Sequence, residues 1–194
     1  LAGRPHPRPI ATPGVRTRMR PLSILATATT IAVLATACGN NNDTSTAPAA
    51  APPVSTIEIT SRNHVDQDVN YPQSPPLGGD HNPVWQNCGI YRDSIVDELA
   101  VHSLEHGAVW ISYRPDLSPA DIAKLEALTN GETHILVSPY PDLSSPIVAT
   151  AWGAQQRFDT VDEAGIGTFI TAFQQGPQTP EPGATCSRGF GEPA

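Results

Sequence analysis

Apolar residues recur at helical spacing in three segments of the chain, which predicts three helices. The last segment places Ile166, Phe169, Ile170 and Phe173 on one face, as in a helix that covers a core. Residues that favour helix starts and stops bound each segment. The predicted starts are Asp93 or Ser94, then Ser118-Pro119, then a capping box formed by Thr160 and Glu163. The predicted ends are His106-Gly107, Asn130-Gly131 and Gly176-Pro177.

Short apolar or alternating runs predict the strands of a sheet. Ile57–Thr60 alternates, Ala108–Tyr113 and His134–Ser138 read as buried strands, and Ile147–Phe158 reads as one longer strand. The stretch Ser61–Tyr91 is irregular and rich in Pro and Gly, and we expect it to be ordered because it carries aromatic residues and a cysteine. The order of elements predicts one small α+β (or α/β) domain, with a mixed β-sheet covered by about three helices and a long irregular N-terminal loop.

The beginning of the chain has the layout of a secretory signal peptide. The only methionine, Met19, is followed by Arg20 and by an uncharged, mostly apolar run over residues 21–37. This predicts a true start at Met19, so that residues 1–18 are an upstream stretch included by a wrong start; a loose basic leader is the alternative. The apolar run is shorter than the ~20 residues of a membrane-spanning helix, so cleavage is favoured over a retained span.

The end of this run predicts a lipid anchor. Leu34–Cys38 resembles a lipobox, in which the cysteine is acylated and becomes the new N-terminus. Ordinary cleavage after Ala37, leaving a free thiol on Cys38, is the alternative. Residues 39–53 are small, polar and rich in proline, which is typical of a disordered tether. The predicted organisation is 1–37 leader and signal peptide, 38–56 lipidated cysteine and tether, and 57–194 globular domain outside the cytoplasmic membrane.

The charge of the exported part limits its partners. Five of the eleven Lys and Arg residues precede Cys38, whereas all nineteen Asp and Glu residues follow it, so six basic residues face nineteen acidic ones and the net charge is −13. Such a surface repels nucleic acids and anionic headgroups. We therefore expect contact with the membrane only through the lipid, and a metal ion or an envelope protein as partner.

Two cysteines remain beyond the anchor, Cys88 and Cys186. An oxidising compartment favours a disulfide between them, and a pair of metal-binding thiolates is the alternative. The bridge would close a loop of almost a hundred residues, worth about 4–5 kcal/mol in the chain-entropy model. It would hold the C-terminal tail against the beginning of the domain.

The segment ELAVHSLEHG carries the densest candidate chemistry. On a helix, His102 and His106 share a face one turn apart and could chelate one metal ion, with Glu105 as a further ligand and Glu98 in support. His81, which follows a glycine-rich loop, is the predicted third imidazole. Nitrogen and oxygen ligands of this kind suit Zn, Cu or Fe, and we predict a Zn or Cu ion.

Other interpretations of the same residues remain open. They could form a buried polar network in a structural or protein-interaction module that holds no metal. The spacing His102-x-x-Glu105-His106 also matches the pattern of inverted zinc proteases, in which Glu105 would be the general base of a metallohydrolase. His64 is a candidate for an additional ligand, and so is Asp80.

Several motifs together resemble one known family. They are Pro75–His81, Pro83–Gly89, Val101–Trp110, Ser138–Tyr140 and Gly176–Gly183. Over about residues 62–186 the chain resembles a bacterial family known as domain of unknown function 3105, whose members are typically exported or membrane-anchored. The family often has Ser-Gly-Pro-His where this chain has Gly-Gly-Asp-His, ending at His81. The resemblance supports the domain boundary and implies no established activity.

Overall fold

The computed structural model describes residues 52–194, which contain six strands and three helices. The predicted signal peptide, Cys38 and the first part of the predicted tether lie outside these residues. The elements, in chain order, are β1 Ser55–Thr56, β2 Gly89–Ile90, α1 Asp97–Glu105, β3 Val109–Tyr113, α2 Pro119–Ala127, β4 Ile135–Pro139, β5 Ile147–Ala151, β6 Ala154–Phe158 and α3 Glu163–Phe173. Within residues 52–194, each helix is too short to cross a bilayer.

The strands form one mixed sheet in the order β1-β6-β5-β3-β4-β2. The strands β2 and β3 both run parallel to β4. On the other side of β3, the pairs β3–β5, β5–β6 and β6–β1 are all antiparallel. The prediction of an α+β domain with a mixed sheet and about three helices is confirmed.

Helices cover both faces of the sheet. Successive strand residues point to opposite faces, and β3 shows this directly. Ile111 packs in one apolar core with Leu125 of α2 and Ile166 of α3. Its neighbour Trp110 packs in a second core with Leu104 of α1. Of the three helices, only α1 therefore lies on this second face, where the long loop that precedes it also packs.

The bounds of α1 differ in part from the prediction. The helix begins at Asp97 after an extended Val96, so the predicted cap at Asp93 or Ser94 is wrong. The predicted end is confirmed. Gly107, with φ of +93°, donates its N–H to Leu104 O, and the Ala108 N–H bonds Ser103 O at 2.9 Å. These two bonds form a Schellman motif, which ends the helix sharply after the residues that carry the candidate chemistry.

The segment predicted as one long strand, Ile147–Phe158, is instead an antiparallel hairpin. Its two strands, β5 and β6, pair down to Ala151 opposite Ala154. Gly153 in the turn has φ of +68°, and a Cβ there would lie 2.9 Å from Ile57 O. The glycine was the available sequence signal for the turn.

Two smaller predictions were also wrong in position. The first strand is Ser55–Thr56 and not Ile57–Thr60, because it adds to the free edge of β6. The third helix is capped by Asp162 and not by Thr160, since the Asp162 Oδ1 accepts the Gly165 N–H at 2.9 Å.

The predicted disulfide between Cys88 and Cys186 is present, with the two Cα atoms 5.3 Å apart. It joins the C-terminal tail to the loop that leads into β2. Backbone bonds extend the contact, since the Phe190 N–H donates to Trp85 O at 2.8 Å and the Asn87 N–H donates to Phe190 O at 2.8 Å. The tail is therefore a fixed part of the domain.

Candidate metal centre

Three segments meet at the C-terminal part of α1. The helix supplies His102 and Glu105, the glycine-rich loop supplies His81, and the chain after β1 supplies His64. An isolated parallel bridge pairs His64 with His81. Asp80 strengthens this pairing, because its Oδ1 accepts the Asn63 N–H at 2.8 Å.

The four side chains form a compact group. One ligand atom from each of His64, His81, His102 and Glu105 lies within 4.8 Å of the others. The side chain of His81 is fully buried and that of Glu105 is 3% exposed, whereas that of His64 is 47% exposed. The group therefore has a buried floor and one side that faces solvent.

Backbone carbonyls determine the tautomers of the two buried imidazoles. The Nδ1 of His81 lies 2.8 Å from Gly79 O, and the Nδ1 of His102 lies 2.7 Å from Asn82 O. A carbonyl oxygen only accepts, so each Nδ1 carries the hydrogen and donates it. The Nε2 of each neutral ring is left with a free lone pair. This arrangement, with one nitrogen held by an acceptor and the other free, is typical of histidines that bind metals.

One close contact in the group joins two acceptors. His81 Nε2 lies 3.0 Å from Glu105 Oε2, and both atoms are buried without a hydrogen-bond partner. With a neutral imidazole, a lone pair then faces a carboxylate oxygen, which is unfavourable in a buried site. A proton or a metal ion is needed to relieve this contact. The other carboxylate oxygen, Oε1, lies 3.5 Å from Nη1 of the exposed Arg62.

The electrostatic surroundings favour neutral His102. Burial first, and then the neighbouring His106, His81 and His64, together lower its pKa to about 4, against the raising effect of the bond to Asn82 O. The ring is therefore neutral near pH 7. Neutral imidazole is the form that coordinates metal ions.

The structure places the remaining predicted residues beside the group. The Nδ1 of His106 donates to Thr185 O at 2.7 Å, and its ring centroid lies 4.6 Å from that of His102, but it has no atom in the group. The carboxylate of Glu98 accepts the Val69 N–H at 2.8 Å and so holds the long loop. Asp80, as described, anchors the His64 segment. Of the predicted set, His81, His102 and Glu105 come together, and His64 joins them.

Two tryptophan rings flank the group, and the larger clefts lie elsewhere. Trp85 and Trp152 pack edge-on against His102 and His81, at centroid distances of 5.7 and 6.0 Å. Four clefts of about 340 to about 510 Å³ lie elsewhere on the described residues, and none of the four is lined by a residue of the group. These four clefts are therefore separate from the candidate metal centre.

Fold and site together define an α+β domain with a buried histidine–glutamate group at the end of its first helix. Residues 64–188 match the model of the family described as "Protein of unknown function (DUF3105)", and the chain belongs to this family. The resemblance seen in the sequence is thereby confirmed. The matched range includes all four residues of the group and both cysteines. No curated protein and no solved structure matches the chain.

Proposed function

We propose that this protein binds one transition-metal ion, Zn or Cu, through His64, His81, His102 and Glu105, and that it holds the ion without catalysing a reaction. The observation that carries this proposal is the contact between His81 Nε2 and Glu105 Oε2, two buried acceptors without a donor. An ion bound to both atoms turns a repulsive contact into two coordinate bonds.

The spacing of the ligand atoms suits such an ion. Donors bonded to one Zn at about 2.0–2.2 Å lie about 3–3.5 Å from one another. The 3.0 Å separation of His81 Nε2 and Glu105 Oε2 fits this range. His64 Nε2, at 3.7 Å from the same oxygen, needs only a small inward movement. Three imidazole nitrogens and one carboxylate oxygen are the donor types that Zn(II) and Cu(II) accept.

The exposure of the ligands suggests how the ion is exchanged. His81 and Glu105 are buried and fixed, whereas His64 and the neighbouring Arg62 are half exposed. The ion then enters and leaves on the His64 side. A site with one exposed ligand suits a protein that holds an ion, senses it or hands it to a partner.

Metal analysis of the purified protein tests the proposal. We expect close to one tightly bound Zn or Cu per chain, reduced in both His81→Ala and His64→Ala. His64 is exposed, so its replacement does not threaten the fold. The matched control is His134→Ala, since His134 is also buried and bonded to a carbonyl, that of Ala184 at 2.9 Å, but lies outside the group.

Two other results would replace the proposal. If the protein is free of metal and unfolds at the same temperature with chelator, with Zn and with Cu, the group is a structural polar network in an interaction module. If the protein hydrolyses a test peptide and Glu105→Gln abolishes this while the metal is retained, the protein is a metallohydrolase with Glu105 as general base.

We also propose that the protein is exported and held at the outer face of the cytoplasmic membrane by a lipid on Cys38. The supporting observations are the signal-peptide layout before Cys38 and the disulfide Cys88–Cys186, which is typical of oxidising compartments. Labelling of cells with a tagged fatty acid should mark the wild type and not Cys38→Ser, which should also leave the membrane fraction. Equal labelling of both would contradict the anchor.

A further inference from the structure

His106 is prepared for coordination although it lies outside the group. Its side chain is 5% exposed, and its Nδ1 donates to Thr185 O at 2.7 Å. As in His81 and His102, the carbonyl leaves Nε2 with a free lone pair. This Nε2 faces Glu181 Oε2 at 3.6 Å, which is too long for a hydrogen bond.

We infer that His106 and Glu181 form a second, weaker position for a divalent cation, next to the group of His64, His81, His102 and Glu105. The inference rests on the proposed function for the identity of the ion, which is Zn or Cu. The 3.6 Å separation of His106 Nε2 and Glu181 Oε2 already lets one cation bond both atoms at ordinary lengths of about 2.0–2.2 Å.

The second position differs from the first in the number and exposure of its ligands. It has two protein ligands where the first has four, and the Glu181 side chain is 48% exposed. Water must supply the remaining ligands, so the ion binds more weakly and exchanges faster. We therefore expect the first position to fill before the second.

The backbone fixes the two positions relative to each other. Glu181 N–H donates to the backbone oxygen of Glu105 at 3.1 Å, and Glu105 is the residue whose carboxylate belongs to the first group. The ring of His102, also in the first group, lies 4.6 Å from that of His106. The two positions are therefore adjacent, with the rings of His102 and His106 between them. Such a neighbouring site is suited to bind an ion before it passes to the first position.

Disulfide Cys88–Cys186 also contributes to this arrangement. Thr185, whose carbonyl holds His106, directly precedes Cys186. The bridge therefore fixes the carbonyl that selects the tautomer of His106. The first group is held by carbonyls of Gly79 and Asn82 and does not depend on the tail in this way.

Zinc titration of the full chain tests the inference, with free Zn measured by equilibrium dialysis. We expect two ions per chain, with dissociation constants that differ by at least about tenfold, or 1.4 kcal/mol. Glu181→Gln and His106→Ala should lose the weaker ion only, and His81→Ala should lose the tighter one. The control is Glu192→Gln, which removes the same charge from an exposed residue of the same tail and should retain both ions.

The outcomes separate this inference from the proposed function. One ion in the wild type, unchanged in Glu181→Gln, overturns the second position and leaves the first standing. Loss of all zinc in His106→Ala also overturns it, because His106 would then belong to the first centre. No zinc in the wild type overturns the proposed function itself. Glu181 is half exposed, so Glu181→Gln gives a reading even if His106→Ala does not fold.

Discussion

His81 Nε2 and Glu105 Oε2 lie 3.0 Å apart in a buried site, and neither atom has a hydrogen-bond donor. The Nδ1 hydrogen of His81 is already committed to Gly79 O. The contact is therefore stable only with a metal ion between the atoms or with an additional proton on His81. The two possibilities predict opposite changes in the free energy of unfolding when Glu105 is replaced by glutamine.

The substitution Glu105→Gln tests which possibility applies. The amide NH₂ can take the place of Oε2 and donate to His81 Nε2, while the amide oxygen keeps the place of Oε1 beside Arg62. In the metal-free protein we expect the free energy of unfolding to rise by about 1 kcal/mol, since a buried acceptor gains a donor. Metal affinity should fall at least about tenfold because a neutral amide is a poorer ligand.

Denaturant unfolding with chelator, followed by metal titration, measures both effects. If His81 is instead protonated and paired with Glu105, the same variant leaves a buried imidazolium without its counter-ion. Stability would then fall by about 3–5 kcal/mol. A loss of that size in chelator would contradict the metal proposal.

Local signals located all three helices but misplaced the starts of α1 and α3, and pairing between distant segments decides the rest of the fold. Ser118-Pro119 predicts the start of α2 because the serine side chain caps the helix without help from other elements. In contrast, the position of β1 follows from the free edge of β6, which no local pattern reveals. The turn at Gly153 was missed because a single glycine between the runs IVATA and AQQRF is a weak turn signal.

In the candidate site, too, local sequence predicts some features, whereas others depend on contacts between distant segments. Helical spacing correctly placed His102 and His106 side by side. It could not show that their Nδ1 atoms meet carbonyls 20 and 79 residues away, Asn82 O and Thr185 O, which turn the rings toward different neighbours. His64 joins the group through a bridge to His81 across the long loop, and its sequence surroundings carry no signal for that pairing.

The substitution Asp97→Asn should change how stability depends on pH. Asp97 is the first residue of α1, and burial raises its pKa to about 6 from 3.8, against the lowering effect of the Tyr140 hydroxyl bond. The folded state therefore holds a proton that the unfolded state has lost, so this carboxyl reduces stability as pH rises from about 4 to 6. An amide oxygen can still accept the Tyr140 bond, and it carries no charge.

We expect Asp97→Asn to match the wild type near pH 4 and to exceed it above pH 6. The full shift corresponds to about 3 kcal/mol, which solvent screening at this half-buried position reduces to about 1 kcal/mol. Denaturant unfolding at several pH values measures the difference. Asp93→Asn, at an exposed position, is the control. A difference that is the same at pH 4 and pH 7 would contradict the assignment to Asp97.

The substitution Gly107→Ala should destabilise the end of α1. Gly107 has φ of +93°, and a Cβ there would lie 2.9 Å from the backbone Cα of Gln175. We expect a loss of about 1–3 kcal/mol in the free energy of unfolding. Gly167→Ala is the matched control, because Gly167 lies inside α3 with open space around it and should gain about 0.5–1 kcal/mol. Equal effects of the two substitutions would show that the Schellman turn contributes nothing.

Replacement of both Cys88 and Cys186 by serine should affect stability and the two proposed cation positions differently. The bridge spans 98 residues, so its loss should cost about 4–5 kcal/mol in the chain-entropy model. Among molecules that stay folded, the tail loosens beside Thr185, whose carbonyl holds His106. The weaker zinc ion should then bind at least about tenfold less tightly, while the tighter ion is unchanged.

Dialysis in the temperature range where the variant is fully folded measures both affinities, and circular dichroism defines that range. Reductant should reproduce the effect in the wild type and have none on the double variant, which separates the disulfide from the serine side chains. The tail is also held by the bond between the Asn87 side-chain Nδ2 and Gly191 O at 2.6 Å, so a folded fraction is expected without the bridge. Equal weakening of both ions would mean that the tail supports the whole centre, because the carbonyls of Gly79 and Asn82 would then not suffice to hold His81 and His102.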